Sequence, residues 1–285
     1  TCPAAEIEVV ASFSILGDLV REVGGERVTV HALVGPGQDA HVYEPRPSDA
    51  RRAGEARLIV ANGLGFDDWL PRLARSAGYK GAVLIASAGI RPLTMNGPGG
   101  HNEHGGNSER IDPHAWQDAG NVRIYIDNIA AALAAADPDG AERYRANAAR
   151  YSGALEALDA DIRKAIARLP QERRKVVSSH DAFAYFARAY GLSFLAPAGM
   201  AGHAEPSARN VARLIVQLRQ EKAAAVFLEN VSDPRSIERI RSESGAAAGG
   251  TLYSDALSSA DGPAPTYLAM MRHNLATLMA ALEAR

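Results

Sequence analysis

The sequence predicts an α/β protein of two parallel-sheet lobes joined by one long rigid helix, and three observations lead there. Short β-rich runs alternate with helical stretches through about the first 130 residues. Apolar positions then advance in steps of three and four, without a break, from Asp139 to Leu169. After Pro170 the alternation of strand and helix resumes and runs to the C-terminus.

Each element has its own signal. IEVVASFSILGDLVREVGG reads as a strand from Ile7 to Ser12 running into a helix that stops at Gly24-Gly25. VTVHALV is a second strand, and ARLIVANG and AVLIAS are further short β-rich runs bounded by helical stretches and glycines. The long helix carries Tyr144, Ala148, Tyr151, Leu155, Leu158, Ile162, Ile166 and Leu169 on one stripe, and Pro170 ends it. At 1.5 Å per residue it spans roughly 45 Å, more than the width of one sheet domain, which suits it to join two lobes. Beyond it KVVSSH reads as a strand, DAFAYFARAYG and SARNVARLIVQLRQEK as helices, AAVFLEN as a strand, SIERIRSESG as a helix, GGTLYSD as a strand and PTYLAMMRHNLATLMAAL as a last helix. The expected organisation is an N-terminal lobe over 1–138, a linking helix over 139–169 and a C-terminal lobe over 170–285, with no short-period repeat but a shared general plan.

Composition narrows the function. With 285 residues, 47% of them apolar, the chain can bury a large core. Its 31 basic and 33 acidic residues are spread along the sequence and sum to −2, so no electrostatic footprint for nucleic acid or an anionic membrane stands out. The longest apolar runs, such as Ile129 to Ala136, fall far short of the roughly twenty residues of a membrane span. The opening Thr-Cys-Pro is read as a mature chain whose signal peptide has been removed, which places it in the periplasm of a Gram-negative type of cell. Cys2 is the only cysteine, so any metal must be held by His, Asp and Glu. A lipidated cysteine would be the first mature residue, and Thr1 precedes this one.

The stretch HNEHGGNSERIDPHAWQD places three of eight histidines and four acidic residues within eighteen positions. In open α/β sheets ligands bind at loops leaving the carboxyl ends of strands. Four candidates occupy such loops: His41 after VTVHALV and its turn, His114 past the Gly-rich loop, His180 ending KVVSSH, and Asp255 ending GGTLYSD. Two come from each half, as a metal in the cleft between two lobes requires. Each also has a local alternative: a turn hydrogen bond for His41, a helix cap for His114 or Asp255, a satisfied core position for His180. His31 lies inside a strand and His273 in mid-helix, where a solvated side chain is expected. His203 sits in a loop, and His101 and His104 in a Gly/Asn-rich one.

GQDAHVYEPRPSD, NGLGFDDWL, DPHAWQD, SSHDAFAYFARAYGL and LYSDALSS, in this order around a long central helix, closely resemble the cluster A-I metal-specific solute-binding proteins of ABC importers. The resemblance covers nearly the whole chain. It implies two α/β lobes on a rigid helix with one metal ion between them, held by His41, His114, His180 and Asp255. Manganese-type members carry Glu where His180 stands, so three imidazoles and one carboxylate point to Zn2+. Asp118, Asp181 and Glu229 are expected to orient the imidazoles through their second ring nitrogen. Zinc-type members often carry a long His-rich loop before DPH; here it is short, and His101 and His104 are left as transient metal collectors. The implied work is high-affinity periplasmic zinc binding and delivery to a membrane permease, with a metallochaperone as a possible donor and a monomer as the state. Rival readings are a manganese or iron receptor of the same fold, a surface adhesin-like member, and a mononuclear zinc hydrolase. The last lacks HExxH, GxSxG or any other catalytic motif, and four protein ligands would close the metal's shell.

Overall fold

The structure, a computed structural model, describes residues 7–95, 110–178, 180–195, 225–231 and 247–283, with the isolated positions Ala212, Val216, Ser242 and Glu243. The first lobe opens with β1 (Ile7–Phe13) running straight into α1 (Ser14–Gly24), then β2 (Val28–Val34), α2 (Pro47–Glu55), β3 (Leu58–Ala61), α3 (Trp69–Ser76) and β4 (Val83–Ile85). These four strands form one parallel sheet in the order β2-β1-β3-β4. A two-stranded antiparallel ribbon, β5 (Thr94–Met95) with β6 (Arg110–Ile111), leads into α4 (Ala119–Ala136) and α5 (Ala141–Ala167).

The second lobe holds β7 (Lys175–Val177), α6 (Ala184–Tyr190), β8 (Ser193–Leu195), β9 (Ala225–Glu229), β10 (Ala247–Leu252) and α7 (Tyr267–Glu283). Its sheet is also parallel, in the order β8-β7-β9-β10. Taken from the first strand of each lobe, both sheets therefore run second-first-third-fourth. The chain crosses to the other side of its first strand once per lobe, creating the switch point at which α/β sheets bind ligands.

The long helix is α5, 27 residues, about 40 Å by its rise per residue. Its stripe of Tyr144, Ala148, Tyr151, Leu155, Leu158, Ile162 and Ile166 is buried as the periodicity predicts. The helix is not a bare strut. It lies against α1, α4 and α7, and the same core cluster runs from Val9 and Phe13 of the first lobe through α4 and α5 to Phe227, Leu252 and Met270 of the second. The continuous apolar stripe explains this, since a strut exposed on all sides would leave that face in water. Both predicted helices SARNVARLIVQLRQEK and SIERIRSESG lie mostly outside the described residues.

Hydrogen bonds tie the lobes as well. Asp18 of α1 accepts from the backbone N–H of Tyr267 at the start of α7 (2.7 Å), and Ser14 Oγ accepts from Leu257 N (3.0 Å). Trp116 Nε1 and Gln117 Nε2 both donate to the Ser254 carbonyl, each at 2.8 Å. Tyr267 Oη donates to the Trp116 carbonyl at 2.7 Å. A buried bond of this kind is lost outright if the lobes separate, so wide hinge opening is disfavoured.

Candidate metal centre

His41 stands seven residues past β2, His114 three past β6, His180 three past β7 and Asp255 three past β10. Four side chains that are remote in sequence meet, with one ligand atom from each lying within 4.8 Å of the others. His41 Nε2 is 3.3 Å from His114 Nε2 and 3.2 Å from Asp255 Oδ2. His180 Nε2 is 3.1 Å from Asp255 Oδ2, and His114 Nε2 is 3.6 Å from Asp255 Oδ1. A tetrahedron of donors about 2.0–2.1 Å from a central ion has edges of about 3.3–3.4 Å. The His41–His114 distance and the two distances to Asp255 Oδ2 lie close to that value, and His114 faces the other carboxylate oxygen at 3.6 Å.

Two of the four groups are deeply buried and a third is mostly so. Asp255 and His114 are 1% and 2% exposed, and His180 has little more surface. His41 keeps about a quarter of its side chain in solvent and is the accessible member. Both Asp255 oxygens and His180 Nε2 are buried without a hydrogen bond of sound geometry, a costly arrangement that a cation would repair.

Behind two of the imidazoles stand carboxylates gripping them in the same way. Asp112 Oδ1 accepts from both the backbone N–H of His114 (2.9 Å) and its ring Nδ1 (2.7 Å). Glu229, fully buried at the end of β9, accepts from His180 N through Oε1 (2.8 Å), and its Oε2 faces His180 Nδ1 as an ion pair at 2.5 Å. An acceptor on Nδ1 leaves Nε2 with its lone pair turned to the centre, the tautomer a metal needs. Asp39 Oδ1 accepts from the His41 backbone N–H at 2.7 Å.

Charge is balanced without a metal by protons. Burial opposes the Asp255 charge, but the imidazoles of His114 and His180 outweigh it and hold its carboxyl well below the usual range. Burial likewise opposes protonation of His180 and His41. The carboxylates of Glu229 and Asp255 nonetheless raise His180 well above an ordinary histidine, and Asp255 raises His41.

The loop after β3 forms one wall. Gly63, Leu64 and Gly65 all have positive φ (82°, 56° and 82°), which costs a non-glycine such as Leu64 about 1–2 kcal/mol. Asp67, 1% exposed, clamps this turn by accepting from the N–H groups of Asn62 (2.6 Å) and Gly63 (3.0 Å). The turn presses Phe66 edge-on against His41, with ring centroids 4.9 Å apart, and against Trp116 at 4.8 Å.

Other expectations fare differently. Asp118 does not reach the His114 ring; it caps α4 by accepting from Gly120 N at 2.9 Å, and Asp112 takes the position beside the ring because it folds back over the tight DPH turn. Asp181 is next to His180 in the chain, but among the described residues no hydrogen bond joins them. His31 Nε2 pairs with Glu8 on the neighbouring strand at 2.8 Å, far from the centre. His273 is not simply solvated, since its Nε2 bonds the Thr251 carbonyl at 3.1 Å and ties α7 to β10. His101, His104 and His203 lie outside the described residues. Asp112, Phe66 and Trp116 escaped the sequence reading. The repeated Asp-x-His of Asp39-Ala40-His41 and Asp112-Pro113-His114 was the signal for the first of them.

With this geometry in view, comparison with known proteins is direct. The profile of the family described as zinc-uptake complex component A periplasmic (ZnuA) matches residues 9–281. The chain belongs to the ZnuA family. ZnuA-family proteins are exported metal-binding solute-binding receptors of ABC importers. The chain is 34% identical over 277 residues to the manganese-binding lipoprotein MntA of Halalkalibacterium halodurans, covering 97% of this chain and 89% of that one. It is equally similar, 34% over 277 residues, to the iron-binding protein YfeA of Yersinia pestis, covering 96% and 86%. Among solved structures, the periplasmic zinc binding protein TroA from Treponema pallidum superposes with a TM-score of 0.86 at 29% identity, covering 98% of this chain and 99% of that one. The two-lobe fold predicted from the sequence is thus the TroA-like fold. The metals named in these ZnuA-family relatives are three different ones.

Proposed function

We propose that this chain captures zinc outside the cytoplasm, through His41, His114, His180 and Asp255, and delivers it to the permease of an ABC importer. The observation that carries the choice of zinc is the donor set, three imidazole nitrogens and one carboxylate at near-tetrahedral spacing. Borderline-soft, four-coordinate zinc suits nitrogen-rich sites, whereas manganese favours more oxygen donors and a higher coordination number. Four protein donors also leave no open position for an attacking water, which argues against a hydrolase.

The site works by exchange of protons for metal. His180 and His41 must give up their protons as the ion arrives, and Asp112 and Glu229 keep the rings aimed while they do so. The lobes are tied at Asp18–Tyr267, Ser14–Leu257 and Trp116–Ser254, so entry and release rest on small movements of ligand loops. His41, the most exposed ligand, is the one through which solvent reaches the ion.

The names of MntA and YfeA favour a second reading, a manganese or iron receptor on the same scaffold. Competition titration of the metal-free protein against a chelating indicator separates the two. Zinc should bind once per chain and at least about 100-fold more tightly than manganese or ferrous iron, with His180→Ala and Asp255→Ala each weakening it by orders of magnitude. The opposite ranking of metals makes manganese or iron the cargo. Tight zinc binding indifferent to both substitutions removes the proposed site altogether.

A further inference from the structure

The near-neutral net charge of the chain conceals a local excess. Helices α2 and α3 lie side by side over one face of the first sheet, sealing Val10, Leu33, Ala53, Ile59, Leu70 and Ala74 beneath them. Their packing is close enough that a Cβ on Gly54 would lie 3.0 Å from the Ala77 carbonyl oxygen. On these helices and the turns beside them Arg46, Arg51, Arg52, Arg72, Arg75 and Lys80 are all exposed, while the exposed carboxylates are Glu44, Glu55 and Asp68; Arg57, also exposed just past α2, is set apart because it donates to the Ala136 carbonyl at 3.0 Å. The difference is six minus three, an excess of three positive charges.

None of these six cations takes part in an ion pair among the described residues. On the helical layer of the same lobe several cations do find carboxylates: Arg27 with Asp137, Arg123 with Glu156, Arg150 with Glu22, Arg163 with Asp159. Those four pairs cluster on α1, α4, α5 and the turns joined to them. The basic face also continues into the site. Asp49 of α2 accepts from Tyr43 Oη and from Arg46 N, each at 2.7 Å, anchoring the segment that carries His41 and the exposed Val42 to the same helix.

We infer that the outer face of α2 and α3 docks an acidic surface on the membrane protein that takes the metal, an inference that rests on the receptor function proposed above. Five of the six cations are arginines, whose planar forks bind carboxylates in bidentate fashion. A positive flank on a chain of net charge −2 orients the approach, steering this side toward an acidic partner and repelling the rest of the surface. A partner seated there also covers the His41 loop, where the metal leaves. Anionic lipid headgroups could meet the same charges but would have no part in accepting the ion.

The test uses the full chain with Arg51→Glu, Arg52→Glu and Arg75→Glu combined, beside the matching triple lysine variant. A control carries Arg123→Glu and Arg150→Glu on the paired face. Zinc affinity of the purified proteins, by indicator competition, should stay within about twofold of wild type in the triple variants. Uptake of radiolabelled zinc, or of manganese if that metal binds more tightly, by cells holding only this receptor and its own transporter should fall at least tenfold in the triple glutamate variant. The lysine variant and the control should keep most of it. Uptake unchanged by the triple glutamate substitution overturns the docking surface. So does uptake lost equally in the control, which marks a general charge effect. Flotation with vesicles of phosphatidylcholine, alone or in equal parts with phosphatidylglycerol, supplies the third arm. Wild-type binding to the anionic vesicles, abolished in the variant, would assign the face to lipid and overturn the proposal. A wild type that binds no metal in the first measurement overturns the receptor reading itself, which keeps the two failures apart.

Discussion

Glu229 holds His180 by two atoms at once, accepting from its backbone N–H through Oε1 at 2.8 Å and facing its ring Nδ1 with Oε2 as an ion pair at 2.5 Å. The carboxylate comes from the end of β9 and the histidine from the loop after β7, the two strands on either side of the switch point of the second sheet. Ring tautomer and loop position are therefore fixed by the same group. Glu229→Gln keeps an acceptor of similar shape but removes the charge. Zinc affinity should drop about 10- to 100-fold while the far-UV circular dichroism spectrum stays as in wild type. Asp112→Asn should do the same through His114. Unchanged affinity in both variants would mean that the rings need no such support.

The pH dependence follows from the direction of the shifts. With no metal bound, Glu229 and Asp255 raise the folded-state pKa of His180, and Asp255 that of His41, above the ordinary value near 6.5. Their protonated form adds stability that is complete below that ordinary value and is lost as pH rises through the raised ones. Asp255, lowered, adds stability above the usual carboxylate range and loses it as pH falls through its depressed value. The metal-free protein should thus melt at lower temperature as pH climbs from 6.5 toward 8.5. Zinc needs the same nitrogens deprotonated, so its affinity should rise over that interval by up to about tenfold per unit for each proton displaced. Melting curves and indicator titrations at several pH values check both; a metal-free melting temperature that rises with pH would refute the assigned charges.

Asp18 offers a second titration, distant from the metal. Burial pushes its carboxyl up to about 6, while the bond from Tyr267 N pulls the other way. A raised acid binds its proton better folded than unfolded, so stability present below about pH 4 is lost as pH rises through about 6. Asp18→Asn removes that loss and retains an acceptor for Tyr267 N. Above pH 7 the variant should be more stable by up to about 3 kcal/mol, converging with wild type near pH 4. Denaturant unfolding at the two pH values measures the difference.

Phe66 joins the site to the core. Its ring lies against His41, Phe13 and Trp116, with centroids 4.8–4.9 Å apart. Phe66→Ala should cost about 3–5 kcal/mol of stability through the cavity it leaves. Freed of that wall, His41 should hold zinc less tightly by about tenfold, read by the same titration on protein kept well below its melting temperature. Lost stability with full affinity would confine Phe66 to packing.

Much of this was legible from residues alone. The period-three-and-four stripe fixed α5 to within two residues at either end, because a buried helical face leaves a regular trace. The strands were legible as short β-rich runs, and with them the order of the loops carrying His41, His114, His180 and Asp255. Yet β7 and β10 end at Val177 and Leu252, three residues before His180 and Asp255, where the runs KVVSSH and GGTLYSD place the strand ends. Asp118 and Asp112 show the limit. Both are near His114 in sequence, and only the turn taken by Asp112-Pro113-His114 decides which of them folds back on the ring. Phe66 was invisible because its position depends on three consecutive positive-φ residues clamped by Asp67.

The sequence by itself determined the two α/β halves, the long helix between them and the four side chains with metal-donor chemistry, since periodicity and donor type are properties of the chain. Tertiary structure decided what lies across space: the 3.1–3.6 Å spacing of the donors, Glu229 behind His180, the buried ties between lobes and the unpaired basic face of α2 and α3. Those relations join residues tens to hundreds of positions apart. Their energies depend on burial and separation in three dimensions, which no local pattern records.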